Sequence, residues 1–185
     1  MEVLAIYGSP HKHGNTAKIT DAVLTGLDKK HLINRVYLYD KNIQACIACE
    51  KANEFHKEKY CRHNDDFTRE IIPLINSADI IIISSPVWFG HITGTLKTFI
   101  DRLHTYINEE FEIRILPGKK YITITSSAAP DEVFLPVSEY LNYWFTTFFK
   151  MEMLGSFHIG SMFESGLLTE NSPAIVQARE LGAGI

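Results

Sequence analysis

Residues 4–18 read Leu-Ala-Ile-Tyr-Gly-Ser-Pro-His-Lys-His-Gly-Asn-Thr-Ala-Lys. An apolar run from Val3 to Tyr7 stops at Gly8, a short loop of small, polar and basic residues follows, and an amphipathic pattern begins near Gly14. This order describes a strand, a tight loop and a helix N-terminus. The first backbone N–H groups of a helix have no intrahelical acceptor, and the helix dipole favours negative charge beside them. Ser9, Asn15 and Thr16 add hydroxyl and amide donors. Lys12, with His11 or His13 when protonated, adds positive charge. This chemistry favours a bound phosphate, although a polar-capped connection without a ligand has the same outline. Two common phosphate loops are absent: there is no Gly-Lys-Ser/Thr of a Walker loop, and no Gly-x-Gly-x-x-Gly turn.

Outward from this stretch, apolar runs alternate with helical patterns. Helices are expected over Gly14–Lys29, Phe67–Asn76 and Thr93–Thr105, then from the Pro136 region to about Lys150, and after Ser172-Pro173. Strands are expected at Val3–Tyr7, Asn34–Leu38, Ile80–Ile83, Lys119–Thr125 and Met153–Ile159. The four consecutive isoleucines suit a strand buried on both faces, as in a parallel sheet. Residues 40–65 are polar, lack a clean period and read as a long loop. The pattern predicts a single α/β domain over residues 1–185, a five-stranded parallel sheet in the order 2-1-3-4-5 with helices on both faces. The ligand then belongs at the carboxyl edge, in the loops after Tyr7, Ser84 and Thr125.

Composition narrows the function classes. The chain has 185 residues, 45% of them apolar, and a net charge of −4 from 18 basic and 22 acidic side chains. That balance gives no support to a nucleic-acid or membrane surface. No apolar run reaches the roughly 18–20 residues of a membrane span. The first strand starts too early to leave room for a signal peptide, and three cysteines do not make a secreted disulfide framework. A cytoplasmic protein is expected.

The third strand leads into Ser84-Ser85-Pro86-Val87-Trp88-Phe89-Gly90-His91. Two large aromatic residues and a glycine, on the same edge as the phosphate loop, could hold a planar ligand along the backbone. Packing on the core is the competing role for Trp88 and Phe89. Pro86-Val87-Trp88-Phe89-Gly90 followed by Leu96-Lys97-x-Phe99-Ile100-Asp101-Arg102 resembles the Pro-x-Tyr-x-Gly and Leu-Lys-x-Phe-x-Asp-Arg signature of flavodoxin-like NAD(P)H-dependent FMN reductases. The first loop is similar to that family's Gly-Ser-Pro-Arg-Lys-x-Gly-Asn-Thr. Asp65-Asp66, Ser77-Ala78-Asp79, and Cys46, Cys49 and Cys61 extend the likeness, which covers residues 3–104.

The resemblance implies non-covalent FMN as cofactor and NAD(P)H as co-substrate. It implies phosphate contacts from Ser9, His11, Gly14, Asn15 and Thr16, and a flavin lined by Pro86, Val87, Trp88, Phe89 and Gly90. Ser126, Ser127 and Ala128 would meet the pyrimidine edge. The implied activity passes two electrons from NAD(P)H through FMN to a quinone, nitro, azo or similar small-molecule acceptor, with no general acid or base named. An electron-carrier flavodoxin and a flavin-free binding module are the alternatives. His11 replaces the family's usual Arg, so the permanent charge is lost. Trp88 replaces the usual Tyr and lacks its phenol.

Relatives with an iron–sulfur cluster carry a compact Cys-x-x-Cys-x-x-Cys run and a fourth Cys. Here Ala52 takes the third place, leaving a four-thiolate cluster one ligand short. Zinc on Cys46, Cys49, Cys61 and His56 or His63 suits the ligand types but not a known finger spacing. A Cys46–Cys49 redox pair is a third use of these thiols. No metal is expected. Phe134, Tyr140, Tyr143, Trp144, Phe145, Phe148 and Phe149 crowd one segment. Tyr140, Tyr143 and Phe149 fall off its main stripe and are expected at a homodimer interface. The alternative is that they pack beneath the 40–65 loop.

Overall fold

Ile80–Ile83 form the centre of the sheet, each 4% exposed or less. They open β3 (Ile80–Trp88), which pairs in parallel with β1 (Glu2–Tyr7) on one side and β5 (Lys120–Ser126) on the other. β2 (Leu32–Tyr37) and β6 (Glu152–Ile159) are the outer parallel strands, giving the order β2-β1-β3-β5-β6. β4 (His91–Ile92) lies off this path and pairs antiparallel with the end of β3. Without that two-residue addition, the core has the expected five-strand order. A computed structural model provides the coordinates, and describes residues 1–27, 31–49, 61–107, 112–113, 118–162 and 166–185.

Alternation along each strand makes two cores. Val3, Ala5, Ile80, Ile82, Ile122 and Ile124 face α1 (Asn15–Gly26) and α5 (Pro173–Ala183). Leu4, Ile6, Ile81, Ile83 and Tyr121 face α2 (Ile72–Ser77), α3 (Gly94–Arg102) and α4 (Asp131–Tyr143). Successive strand side chains point to opposite faces, so each strand supplies both layers. α1 and α5 meet backbone to backbone. A Cβ on Gly26 would lie 2.1 Å from the Arg179 carbonyl oxygen, and one on Gly182 would lie 2.1 Å from that of Val23.

Several boundaries differ from the sequence expectations. β2 ends at Tyr37, and Leu38–Asp40 form a 3-10 turn. α3 ends at Arg102 and tightens into a 3-10 turn over Leu103–Tyr106. The segment expected as one helix to Lys150 is α4, with Pro136 inside it, followed by a wider π-turn over Trp144–Phe148. The Phe149 amide reaches back to the Trp144 carbonyl at 2.9 Å, and Lys150 at φ 56° stops the helix. The added residue in this turn rotates Phe149 inward. It is buried, contrary to the regular-helix stripe, whereas Tyr143 is exposed. Among the described residues no helix is long and apolar enough to cross a membrane.

Candidate functional site

The carboxyl edge of the sheet is built around Gly8. Its N–H donates to the Ser84 carbonyl at 2.8 Å. A Cβ there would stand 2.8 Å from that same oxygen and 2.9 Å from Leu96 Cβ, so only glycine lets β1 leave the sheet this close to β3. Thr93, the N-cap of α3, joins the first two loops. Its hydroxyl donates to the Gly8 carbonyl at 2.6 Å and accepts the Leu96 N–H at 3.3 Å, while its own N–H donates to the Ser85 hydroxyl at 3.1 Å. The helical pattern expected from Thr93 onward thus starts one residue later, with Thr93 outside the helix. A threonine just before an apolar-periodic run is an N-cap signal that identifies it.

In the first loop Ser9 is buried, and its hydroxyl accepts the His11 N–H at 3.1 Å. The Gly14 N–H closes a turn on the His11 carbonyl at 3.0 Å, and Gly14 caps α1 in an extended conformation. Asn15, Thr16 and Ala17 open α1, so their N–H groups have no intrahelical acceptor. Thr16 is buried, and its hydroxyl has no hydrogen-bond partner among the described residues. His11 and His13 are exposed. Lys12 turns toward β2, pairing with Asp40 at 2.5 Å and lying 5.0 Å from the Tyr37 ring centroid. The Asn15 side chain turns toward Met162, Gly166 and Leu168.

The second loop is shorter than expected because β3 continues through Pro86, Val87 and Trp88. It reverses at Phe89-Gly90 into β4, pairing Trp88 with His91 and Val87 with Ile92. Phe89 at φ 48° and Gly90 at φ 76° both lie in the left-handed region, as a two-residue hairpin of this hand requires. Glycine adopts it freely, whereas Phe89 pays roughly 1–2 kcal/mol. Pro86 and Val87 are half-buried, Trp88 is 44% exposed, and Phe89 is fully exposed. Core packing is therefore not the role of Phe89.

The third loop starts beside the second, since Pro86 and Ser126 are ladder partners. Ser126 and Ser127 are buried, and Ala128 is exposed. Ser127 donates its N–H to the Ile159 carbonyl and its hydroxyl to the Ala129 carbonyl, both at 2.9 Å. His158, on β6, has Nδ1 2.8 Å from the Thr125 hydroxyl. Burial lowers its pKa and favours the neutral ring. Together the three loops offer anion donors at one end and exposed aromatic surface at the other.

The sequence also singled out three cysteines. Cys46, Cys49 and Cys61 are free, half-buried thiols. Among the described residues no group of three His, Cys, Asp or Glu side chains is arranged to hold a metal ion. Ala52, His56 and Lys29, named above in the cluster, zinc and helix expectations, lie outside the described residues.

Residues 1–156 match the family model described as NADPH-dependent FMN reductase. The chain belongs to this family. An iron–sulfur flavoprotein of Archaeoglobus fulgidus is 29% identical over 145 residues, covering 78% of this chain and 64% of that one. An iron–sulfur flavoprotein of Methanocaldococcus jannaschii is 35% identical over 103 residues, covering 55% and 51%. The chain thus spans less than two thirds of the length of these curated relatives. Its fold is similar to that of an NAD(P)H:quinone oxidoreductase from Methanothermobacter marburgensis, with a TM-score of 0.71 and 17% identity over 100% of this chain and 95% of that one. FMN, the group implied by family membership, combines a phosphate with a planar ring. The N–H groups opening α1, the buried Thr16 hydroxyl and the exposed Trp88 suit those two parts.

Proposed function

We propose that this member of the FMN reductase family is an NAD(P)H-dependent FMN-containing oxidoreductase. Its substrates would be small-molecule electron acceptors of the quinone, nitro or azo type. The observation that carries this reading is the joining of the three edge loops: Gly8 to Ser84, Thr93 to Gly8 and Ser85, and Pro86 beside Ser126. Bound FMN would accept hydride from NAD(P)H and pass two electrons onward.

The remaining work falls to the chain itself. The first turn of α1, with Ser9, His11, Gly14 and Thr16, binds the phosphate. Pro86–Gly90 support the ring, and Ser126–Ala128 meet its polar edge. Exposed Trp88 and Phe89 leave apolar surface for a planar co-substrate. An electron carrier would need a partner protein for reduction, whereas this reading needs none. The deciding experiment mixes purified FMN-loaded protein with NADPH under anaerobic conditions and follows the flavin bands. Bleaching without a second protein, followed by recovery on addition of a quinone, is expected. Bleaching only with an added reductase would overturn the enzyme reading.

A homodimer belongs to the same proposal. An apolar cleft of about 340 Å³ lies between α3 and α4, lined by Ile100, His104, Tyr140, Trp144 and Phe148. Tyr143 beside it is exposed. A second copy covering this face would bury aromatic surface that one chain leaves wet.

A further inference from the structure

Every hydrogen bond of the Asn15 carboxamide leaves the helix turn that carries it. Nδ2 donates to the Gly166 carbonyl at 2.9 Å and to Met162 Sδ at 3.0 Å, and Oδ1 accepts the Leu168 N–H at 2.9 Å. One turn along α1, Lys18 Nζ donates to the Leu168 carbonyl at 2.6 Å. The Leu168 side chain is buried in the layer formed by α1 and α5. Residues 166–168 are therefore strapped across the opening of α1. The same C-terminal segment then becomes α5, whose Gly182 meets the far end of α1 near Val23 and Gly26. It holds α1 at both ends.

A phosphate oxygen accepts hydrogen bonds and needs donors. Both donor directions of the Asn15 amide are already taken, one by Gly166 of the strap and one by Met162. The geometry points to Asn15 as a positioning residue: its side chain fixes residues 166–168 against the first turn of α1 and so aims that turn's backbone N–H groups at the phosphate. This inference rests on the FMN reading above. It makes the segment after β6 part of the cofactor site through α1, and it makes phosphate affinity depend on residues outside the phosphate loop.

The test uses the full chain freed of flavin. FMN and riboflavin are titrated by fluorescence into wild type, Asn15→Ala, Leu168→Ala and Gly166→Ala, and amide hydrogen exchange is followed over residues 166–172. Riboflavin lacks the phosphate and reports the ring site alone. Loss of one positioned hydrogen-bond set predicts FMN binding about 5- to 10-fold weaker in Asn15→Ala, with riboflavin binding changed by less than about 2-fold. The two strap variants should show the same FMN-selective loss although they leave the phosphate loop intact. FMN, but not riboflavin, should slow exchange in 166–172 of the wild type. Should Leu168→Ala fail to fold, Gly166→Ala carries the comparison, because its positive φ of 68° strains the strap without removing a buried side chain. Weakened FMN binding in Asn15→Ala with wild-type affinity in the strap variants would overturn the inference and make the amide a direct phosphate ligand. Unchanged FMN binding in Asn15→Ala would also overturn it. Failure of the wild type to bind FMN would instead remove the functional reading beneath it.

Discussion

Arg102 grips Asp65 with both terminal guanidinium nitrogens, Nη1 to Oδ2 at 2.6 Å and Nη2 to Oδ1 at 3.1 Å, and neither side chain is exposed. Nη1 also donates to the Gln44 carbonyl at 2.8 Å, the Gln44 N–H donates to Asp65 Oδ2 at 2.9 Å, and the guanidinium lies 4.6 Å from the Phe67 ring centroid. The clamp fastens the end of the cysteine segment to α3. At the other end of α3, Thr93 holds Gly8. The pair thus connects the segment after β2 to the helix that braces the loop after β1.

Removing one partner would leave the other buried and uncompensated. Asp65→Asn is expected to destabilise the fold by about 3–5 kcal/mol. Replacing both residues, as Asp65→Leu with Arg102→Met, should cost far less, because no buried charge remains. Urea unfolding of the two variants measures the difference, and equal losses would contradict the account.

Acid should weaken the same clamp. Burial alone would raise the Asp65 pKa, but hydrogen bonds from Arg102 and the Gln44 N–H, with the guanidinium charge, lower it from 3.8 to about 2. A carboxylate with a depressed folded-state pKa stabilises the fold above its unfolded value, and this contribution is lost as pH falls through the folded value. About 2 kcal/mol should therefore disappear between roughly pH 4 and pH 2. Stability measured across that range should fall more steeply in wild type than in the Leu/Met double variant, which keeps the acid-sensitive Asp66 contacts.

Thr16 carries a buried hydroxyl in the first turn of α1. Thr16→Ala should weaken FMN by about 1–2 kcal/mol and leave riboflavin nearly unchanged. Parallel titrations test this, and equal losses for both flavins would remove Thr16 from the phosphate site.

Trp88 should quench the fluorescence of bound FMN. Trp88→Ala is expected to brighten the bound flavin or loosen it by about 1–2 kcal/mol. Emission and affinity identical to wild type would separate this side chain from the ring.

Tyr143, on the exposed side of the aromatic cleft, tests the second copy. Light scattering at micromolar concentration should give twice the chain mass for wild type and a lower mass for Tyr143→Glu, whose charge would be buried in the contact. A monomeric wild type with full NADPH oxidation would refute both the dimer and any need for it.

The parallel sheet and the tight loop between β1 and α1 were legible because they follow from local patterns. The isoleucine run signals burial on both faces, and Gly8 marks the end of β1. The motif residues Asp65 and Arg102 were visible too, but not their pairing, which joins residues 37 positions apart. Asp101, next to Arg102, instead pairs with Lys97 on the exposed side of α3. The strap on Asn15 was hidden for the same reason: its partners lie about 150 residues away. The extension of β3 was missed because Pro86 and the glycine near Trp88 resemble loop punctuation. Pro86 nevertheless sits within a ladder, and Gly90 serves a two-residue turn. The π-turn after α4 left no local signal, so the exposure expected for Phe149 was assigned on a regular helical period.

The closed hairpin at the end of β3 has a thermodynamic consequence. A mobile aromatic loop would have to be ordered by its ligand, at about 1–2 kcal/mol of backbone entropy for each residue fixed. Here Pro86, Val87 and Trp88 are already held as strand, and Phe89-Gly90 close a paired turn. Folding itself supplies that ordering, including the strain at Phe89. A planar molecule arriving at this edge meets a preorganised floor, and more of its contact free energy is retained as affinity.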